Sequence, residues 1–467
     1  MARFSDLPNE LLAEVWKYLL APEDLESFAR VCKGVNGQGF SFLCRHRQLR
    51  DEYSMFSNEA TTEAGNSIRY PTGGNSVRYP LGVAAVRSSN SLIKILTSPR
   101  AGLYVRELRL RTWFTIWDHV FYSAPRSEEL SPYYPYSTKL NIYKNALTDS
   151  ILQTELQAWI LALENGDYNI VLGLLLLVAP NIVKIDLIEN ELQRFQRVME
   201  DLATATKPGI PATLRKLRSI SLRCRKVETF FQFMVFAASV TSLESISAIG
   251  VGLICHPYDP SCLPPPISHI KFLSFERCSF RPADLKVLLS GFKSLESFAY
   301  IHPLIEDSSL RPDYNNFRPT AMCKTLSAHT KKSLISLCFR TEDTPFLCMR
   351  GLRVFENLKS LEISLCLIAN GNNPALVSDL PSSIETMTLR DIDLEDLPWL
   401  RRVISRIIKM KSERLPKLGA LVLHIEEGVN ADSLHTFNAM RDKCELTGFT
   451  LHILDEDGVN WHSAPYY

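Results

Sequence analysis

Cysteine and histidine side chains are the groups in this sequence that could bind a metal ion or act as nucleophiles. The chain contains 11 Cys and 10 His, and their densest cluster is Cys255, His256 and Cys262. The spacing of that cluster matches no zinc pattern, and its proline-rich surroundings favour an ordinary loop. The sequence has no Gly-rich phosphate loop, no G-x-S-x-G elbow and no H-E-x-x-H motif. We therefore expect a protein that is not an enzyme and needs no metal or other cofactor.

A group of basic residues in the last quarter of the sequence could bind an anionic partner. Arg401, Arg402 and Arg406 are interleaved with apolar residues such as Val403 and Ile407. This pattern is typical of a solvated outer helix. It also suits a face that binds an acidic or phosphorylated segment, because arginine pairs bidentately with carboxylate and phosphate groups. The three arginines are the candidate substrate-binding residues, and the sequence does not identify the substrate.

The length of the chain limits how such residues can be positioned. A sequence of 467 residues exceeds the ~250–300 residues that one compact core supports, so we expect several domains or an elongated repeat array. An apolar content of 46% and a charged content of 22% are typical of folded proteins. The net charge of +1 gives no general attraction for nucleic acid or an anionic membrane. The longest apolar run, 170–179, would span only ~15 Å as a helix, against a hydrocarbon core of ~30 Å, so we expect no membrane span.

Residues 1–50 are predicted to form three short helices. Pro8 and Glu10 suit the first turn of the first helix. The apolar positions at helical spacing are Leu11, Leu12, Val15, Leu19 and Leu20 in the first helix and Leu25, Phe28, Val31 and Cys32 in the second. Gly34, Gly37 and Gly39 predict a break before a third helix. A unit this small buries little apolar surface alone, so the stripe on its first helix is a candidate partner surface.

A duplicated hexapeptide marks the segment that follows. Residues 66–71 have the sequence NSIRYP and residues 75–80 have the sequence NSVRYP. Because the surrounding composition is typical of a loop, we predict an exposed linker over 51–91, with a docking or regulatory motif as the alternative.

From about residue 92 onward, one pattern recurs, in which apolar residues occupy a first, fourth and sixth position. Its clearest copy is Ile270/Leu273/Phe275, which Cys278 follows as in the leucine-rich-repeat consensus. The other copies are Val105/Leu108/Leu110, Ile182/Ile185/Leu187, Leu217/Ile220/Leu222, Leu243/Ile246/Ala248, Leu295/Phe298/Tyr300, Leu334/Leu337/Phe339, Leu358/Leu361/Ile363, Ile384/Met387/Leu389, Leu418/Leu421/Leu423 and Leu446/Phe449/Leu451. The sixth positions from 222 to 300 follow one another after 26, 27 and 25 residues, inside the ~20–29-residue window of this repeat. With helix-like segments such as 284–289 and 397–411 between copies, the pattern predicts a solenoid of alternating strands and helices.

The N-terminal residues resemble an F-box. Leu7-Pro8, Glu10-Leu11-Leu12, Val15, Tyr18-Leu19, Asp24-Leu25 and Val31-Cys32-Lys33 stand at the distances of the family pattern. Val15 replaces the usual isoleucine, and Gly34-Val35-Asn36 replaces the Trp, Leu or Tyr that typically follows. The rest of the chain resembles the divergent leucine-rich repeats of fungal F-box proteins, whose Val-Arg-x-Leu-x-Leu entry strand is similar to 105–110.

The resemblance implies an α/β protein with a three-helix F-box at 1–50, a linker at 51–91 and an irregular leucine-rich-repeat solenoid at 92–467. It implies a non-catalytic substrate receptor of an SCF-type cullin ubiquitin ligase. The F-box would bind a Skp-type adaptor and, through it, a cullin, while the repeats recruit a protein substrate. The residues implied to face the adaptor or form the F-box core are Leu7, Pro8, Leu11, Leu12, Val15, Leu19, Leu20, Leu25 and Val31.

Three other interpretations stay open. The helices could be a cap on the solenoid only, the chain could be a scaffold that binds its adaptor without a cullin, or the repeats could carry an unrecognised active site. The cysteines have no C-x-x-C spacing, no N-x-S/T sequon occurs, and Asp6 and Glu10 interrupt any leader-like apolar run. We therefore expect a reducing compartment, the cytoplasm or the nucleus or both.

Overall fold

The computed structural model describes residues 8–19, 22–31, 33–57, 92–110, 136–164, 168–205, 214–252, 269–292, 294–303, 318–341, 349–368, 378–425 and 431–454. These residues fall into two compact units, Met1–Ser221 and Leu222–Tyr467. The fold is α/β, because helices alternate with parallel strands in both units.

The described part of the first unit begins with four helices and continues with strands separated by further helices. Its helices are α1 (Asn9–Tyr18), α2 (Pro22–Ala29), α3 (Lys33–Gln38), α4 (Phe40–Tyr53), α5 (92–97), α6 (Pro99–Gly102), α7 (Tyr136–Ser150), α8 (Gln153–Glu164), α9 (Tyr168–Val178) and α10 (Glu189–Ala205). Its strands are β1 (Met55–Ser57), β2 (Glu107–Leu110), β3 (Lys184–Ile188) and β4 (Ser219–Arg223). The last residue of the first unit, Ser221, lies within β4.

The strands of the first unit lie side by side in chain order. β1 pairs with β2 and β2 with β3, both in parallel, and β4 lies beside β3. Parallel neighbours cannot be joined by a tight hairpin, so longer crossovers must connect them. Helices α7 to α9 lie in the crossover from β2 to β3. Side chains alternate along each strand, and one set, including Leu108 and Ile185, is 0% exposed.

The second unit repeats a strand-and-helix arrangement. Its helices are α11 (Val227–Ser239), α12 (Pro282–Ser290), α13 (Pro319–Thr330), α14 (Leu365–Ile368), α15 (Leu397–Lys411) and α16 (Ala431–Leu446), with 3-10 turns at Leu352–Val354 and Leu394–Asp396. Its strands are β5 (Ser245–Ile249), β6 (Phe272–Glu276), β7 (Ser297–His302), β8 (Ser336–Thr341), β9 (Ser360–Ser364), β10 (Thr386–Ile392), β11 (Ala420–Ile425) and β12 (Thr450–Leu454). Each strand from β5 to β11 pairs in parallel with the next one along the chain.

Ladders of apolar side chains form the core of the second unit. The fourth-position residues of the predicted repeats stand in register across the strands and are at most 2% exposed, namely Ile246, Leu273, Phe298, Leu337, Leu361, Met387 and Leu421. This arrangement is consistent with a solenoid-like repeat, because each strand buries its apolar side against the preceding and following copies.

Most of the predicted strand positions are confirmed. From Val105/Leu108/Leu110 to Leu418/Leu421/Leu423, every fourth and sixth position lies on a strand and is no more than 2% exposed. The predicted helical segments 284–289 and 397–411 correspond to α12 and α15.

The predicted register of the final triplet, Leu446/Phe449/Leu451, is wrong. Leu446 is the last residue of α16 and is 88% exposed. Leu451 pairs with Leu421, so Leu451 holds the fourth position and Ile453 the sixth. After the helix ends at Leu446, the chain turns at Gly448, whose φ of +87° a glycine adopts without strain, and the strand begins two residues after Gly448.

Two predicted boundaries near the N-terminus are also wrong. Gly34 and Gly37 do not break the helical structure, because they lie within α3, and only Gly39 separates two helices. Four helices therefore replace the predicted three. Residues 51–57, assigned to the linker, complete α4 and form β1. The duplicated hexapeptides at 66–71 and 75–80 lie outside the described residues.

A buried tyrosine joins two backbone segments of the second unit. The Tyr300 hydroxyl donates to the Cys278 carbonyl at 2.5 Å and accepts from the Phe280 N–H at 3.2 Å. Burial raises the pKa of Tyr300 above its ordinary value. We expect Tyr300→Phe to lower the free energy of unfolding by about 1–3 kcal/mol, because both backbone groups lose this partner in a buried site. Urea unfolding measures the change, and an unaltered midpoint and slope would contradict it.

Candidate docking surface on the N-terminal helices

The four N-terminal helices pack around one tryptophan. Trp16 is 0% exposed and forms a core with Leu12, Leu25 and Val35. Its ring stacks on Phe42 at 6.0 Å and meets the edge of Phe28 at 5.0 Å. These contacts join α1, α2 and α4, so Trp16 holds the helices in one arrangement.

Gly39 fits beneath the Trp16 ring, between α3 and α4. A Cβ atom at position 39 would lie 2.0 Å from Trp16 Cζ2, far inside van der Waals contact. A glycine at this position therefore has a packing role as well as separating α3 from α4.

One side of α1 is left exposed by this packing. Pro8 and Leu11 are exposed, Leu11 by 52%, and Val15 is half-buried. The three residues stand three and four positions apart, so they share one side of the helix. Leu12, Trp16 and Leu19 follow the same spacing on the neighbouring side, where Leu19 packs partly against the core. The predicted stripe therefore divides into an exposed row and a buried row.

The other predicted residues also divide in this way. Leu25 is buried in the core, whereas Val31, just after α2, is 48% exposed. Leu7 and Leu20 lie outside the described residues. Phe40 at the start of α4 is 65% exposed, and sequence reasoning did not single it out. We name Pro8, Leu11, Val15 and Val31 the docking surface.

Helix α4 is joined to α2 and to the segment just before β2 through polar contacts of His46. His46 on α4 is 4% exposed, and its ring lies 3.0 Å from the Tyr104 hydroxyl and 3.2 Å from Glu26 Oε1. One residue separates α4 from β1, which pairs with β2. The position of α4 is therefore fixed relative to the first strands.

An ion-pair cluster centred on Glu23 makes a second connection. Glu23 on α2 lies 2.7 Å from Arg106 and 2.9 Å from Lys216. The hydrogen bond from Arg106, followed by that from Lys216, holds the pKa of Glu23 below its ordinary value of 4.5. A carboxylate with a lowered pKa stabilises the fold above its ordinary pKa, and this stabilisation is lost as the pH falls through the lowered value.

We expect Glu23→Gln to lower the free energy of unfolding of the first unit by no more than about 1 kcal/mol at neutral pH, because all three side chains are partly solvated. The difference from wild type should shrink at high salt. It should also shrink from neutral pH to about pH 3, because the stabilisation is lost as the pH falls through the lowered pKa of Glu23. Asp24→Asn is the matched control, since Asp24 lies on the same helix and has no ion pair among the described residues. Urea unfolding at both pH values measures the effect, and a difference that grows towards acid pH would contradict it.

A network of paired charges lies across β8 to β11 in the second unit. Arg340 binds Asp391 at 2.8 Å, and Arg390 binds Glu362 at 2.8 Å and the His424 ring at 3.1 Å. Asp391 also accepts a hydrogen bond from Ser364. Burial, followed by the charge of Arg390, lowers the pKa of His424, so its imidazole is neutral at pH 7. Sequence reasoning missed this network, because its members are neighbours only through the strand register.

The predicted substrate-binding arginines, Arg401, Arg402 and Arg406, are all exposed on α15. The apolar residues between them, including Val403 and Ile407, are buried. The structure therefore places the three on one solvated side of a helix, and nothing in the geometry alone assigns them a ligand.

Five described thiols are poor nucleophiles. Burial raises the pKa values of Cys278, Cys323, Cys338, Cys366 and Cys444 to about 12. Such thiols stay protonated at neutral pH and so lack the reactive thiolate.

Over the described ranges, no three His, Cys, Asp or Glu side chains are grouped closely enough to hold a metal ion. Cys255, His256 and Cys262 lie outside those ranges. None of the helices that the structure describes is long and apolar enough to cross a bilayer.

Comparison with known proteins gives weak structural similarity and no sequence match. No protein-family model matches the chain, and no curated protein matches it. The chain is similar to a solved structure described as "Crystal structure of Rad7 and Elc1 complex in yeast", with 11% sequence identity and a TM-score of 0.26. The similarity covers 68% of this chain and 93% of that chain.

Proposed function

We propose that the protein is a non-catalytic substrate receptor of an SCF-type cullin ubiquitin ligase. Its N-terminal helices act as an F-box that docks on a Skp-type adaptor, and its repeats recruit a protein substrate in the cytoplasm or nucleus. The observation that supports this most is the division of the F-box-like residues. Leu12 and Leu25 hold the helices together with Trp16, while Pro8, Leu11 and Val31 stay exposed.

The exposed residues suit a protein interface. Branched aliphatic side chains that remain in water lose contact with water when a partner covers them, and this contributes about 25 cal/mol per Å² of buried apolar area. A partner helix or groove that covers Leu11 and Val31 would gain this energy. A cap on a repeat array has no need to expose such residues, because polar side chains there keep the array soluble.

The attachment of the helices to the strands supports the receptor role. The His46 and Glu23 contacts fix α4 and α2 to the first strands. A receptor raises the rate of ubiquitin transfer by holding its substrate near the charged enzyme, which makes the transfer effectively intramolecular. A rigid connection at the docking end preserves that effective concentration, whereas a flexible one dilutes it.

The experiment is affinity purification of the full chain from cells, probed for a Skp-type adaptor and for a cullin. The proposal predicts that both are recovered, and that Leu11→Asp removes both together. Recovery of the adaptor without a cullin would overturn the ligase role in favour of a cullin-independent scaffold. Recovery of neither would overturn the F-box assignment.

A further inference from the structure

We propose that the exposed basic side of α15 binds a carboxylate-rich segment of a partner protein. The basic side consists of Arg401, Arg402, Arg406 and Lys409, which are all exposed. The inference extends the proposed function by giving the chemical class of the substrate, and it rests on that function only in identifying the partner as a ligase substrate.

The helix is anchored by its apolar side. Leu400, Val403, Ile404, Ile407 and Met410 are buried and set the rotation of the helix. The sequence of α15, LPWLRRVISRIIKMK, contains five basic residues and no acidic one. Its outer side therefore presents positive charge without an acidic neighbour on the same helix.

Three exposed lysines elsewhere in the second unit have acidic partners. Lys271 lies 3.1 Å from Glu296, Lys331 lies 3.1 Å from Glu356, and Lys359 lies 3.0 Å from Glu385. Over the described residues, Arg401, Arg406 and Lys409 form no such ion pair, and Arg401 donates instead to the neutral Thr436 hydroxyl at 3.1 Å.

Like charges one helical turn apart repel each other. Arg406 and Lys409 are three positions apart, a spacing at which such pairs destabilise a helix. An external acidic ligand would relieve this repulsion and pair with the arginine forks.

The spacing of the charges favours several carboxylates over one phosphate. From 401 to 409 the helix rises by about 12 Å, at about 1.5 Å per residue. An extended peptide covers that length with about four residues, at about 3.3 Å each. A single phosphate needs cations that converge on one point, whereas these are distributed along the helix.

Two other anionic partners fit the surface less well. A helix that lies on a membrane inserts its apolar side into the lipid, but Ile404 and Ile407 are at most 1% exposed. Nucleic-acid-binding domains commonly have a pI above about 9 and contact about 6–10 phosphates when they bind tightly. This chain has a pI of 7.6, and α15 supplies only four exposed cations.

The test is fluorescence anisotropy of the full chain with a labelled eight-residue peptide of alternating Asp and Glu at about 50 mM salt. The variant carries Arg401→Gln, Arg406→Gln and Lys409→Gln. The control carries Lys271→Gln, Lys331→Gln and Lys359→Gln, which removes the same charge from paired positions. We expect the variant to lose at least about tenfold in affinity and the control less than about twofold, with equal thermal unfolding in both.

Three outcomes would overturn the inference. They are no binding of the acidic peptide to wild type, an equal loss in the control, or tighter binding of a singly phosphorylated neutral peptide, phosphatidylserine vesicles or duplex DNA. Measuring adaptor binding by wild type and by the same variant distinguishes a failure of this inference from a failure of the proposed function. If wild type binds the peptide but no adaptor, the proposed function fails and the acidic-segment site stands.

Discussion

Trp16→Ala is expected to unfold the N-terminal helices. Trp16 is 0% exposed and contacts Phe28 and Phe42 on two other helices, so its removal leaves a cavity at the centre of a small core. Replacing a buried tryptophan by alanine lowers the free energy of unfolding by about 3–5 kcal/mol. That is a large share of the stability available to four short helices. Hydrogen exchange followed by mass spectrometry should show lost amide protection over α1 to α4 and unchanged protection over β6 to β11.

Trp16→Phe is the control for this prediction. The Trp16 Nε1 atom has no hydrogen-bond partner among the described atoms, so phenylalanine removes ring volume without breaking a hydrogen bond. We expect a much smaller loss of protection than with alanine. Full protection of α1 to α4 in Trp16→Ala would show that this core does not hold the helices together.

Leu11→Asp is expected to abolish adaptor binding without unfolding the helices. Leu11 is 52% exposed, so a charge there meets water in the free protein. In the complex the same carboxylate would be buried without a partner, which is unfavourable. A hot-spot loss of about 2 kcal/mol or more corresponds to at least about 30-fold in affinity. Titration of the purified variant with the adaptor measures it.

Two other aspartate substitutions separate binding from folding. Leu161→Asp, on α8 at 59% exposure, adds the same charge outside the docking surface and should bind the adaptor like wild type. Leu12→Asp, beside Leu11 but 4% exposed, should destabilise the helices themselves. Equal adaptor affinity for Leu11→Asp and Leu161→Asp would remove α1 from the interface.

The strands could be predicted because their information is local. Leu421 and Leu423 are buried two positions apart, and the alternation that sets this appears in the sequence itself. The same spacing led to a wrong register at Leu446, because the helix continues to Leu446 and a turn at Gly448 follows before the strand begins. Where a helix meets a strand, tertiary packing decides the register and the apolar pattern does not.

The docking surface could be predicted less well from the sequence. Leu11 and Leu12 fit one apolar stripe equally well, and only the position of Trp16 assigns one to the surface and the other to the core. The sequence signal for a buried Trp16 is its helical spacing, four residues after Leu12 and three before Leu19. The place of Gly39 beneath the ring depends on a contact 23 residues along the chain, between residues 16 and 39, which no local pattern encodes.

The proposed function requires the N-terminal helices to form an adaptor-binding F-box. Isothermal titration of the purified full chain with a purified Skp-type adaptor measures this binding. We expect a complex of one chain with one adaptor and a Kd of about 1 μM or tighter, weakened by Leu11→Asp and unaffected by Leu161→Asp. The absence of binding at adaptor concentrations of about 100 μM, with the helices shown to be folded by hydrogen exchange, would contradict it.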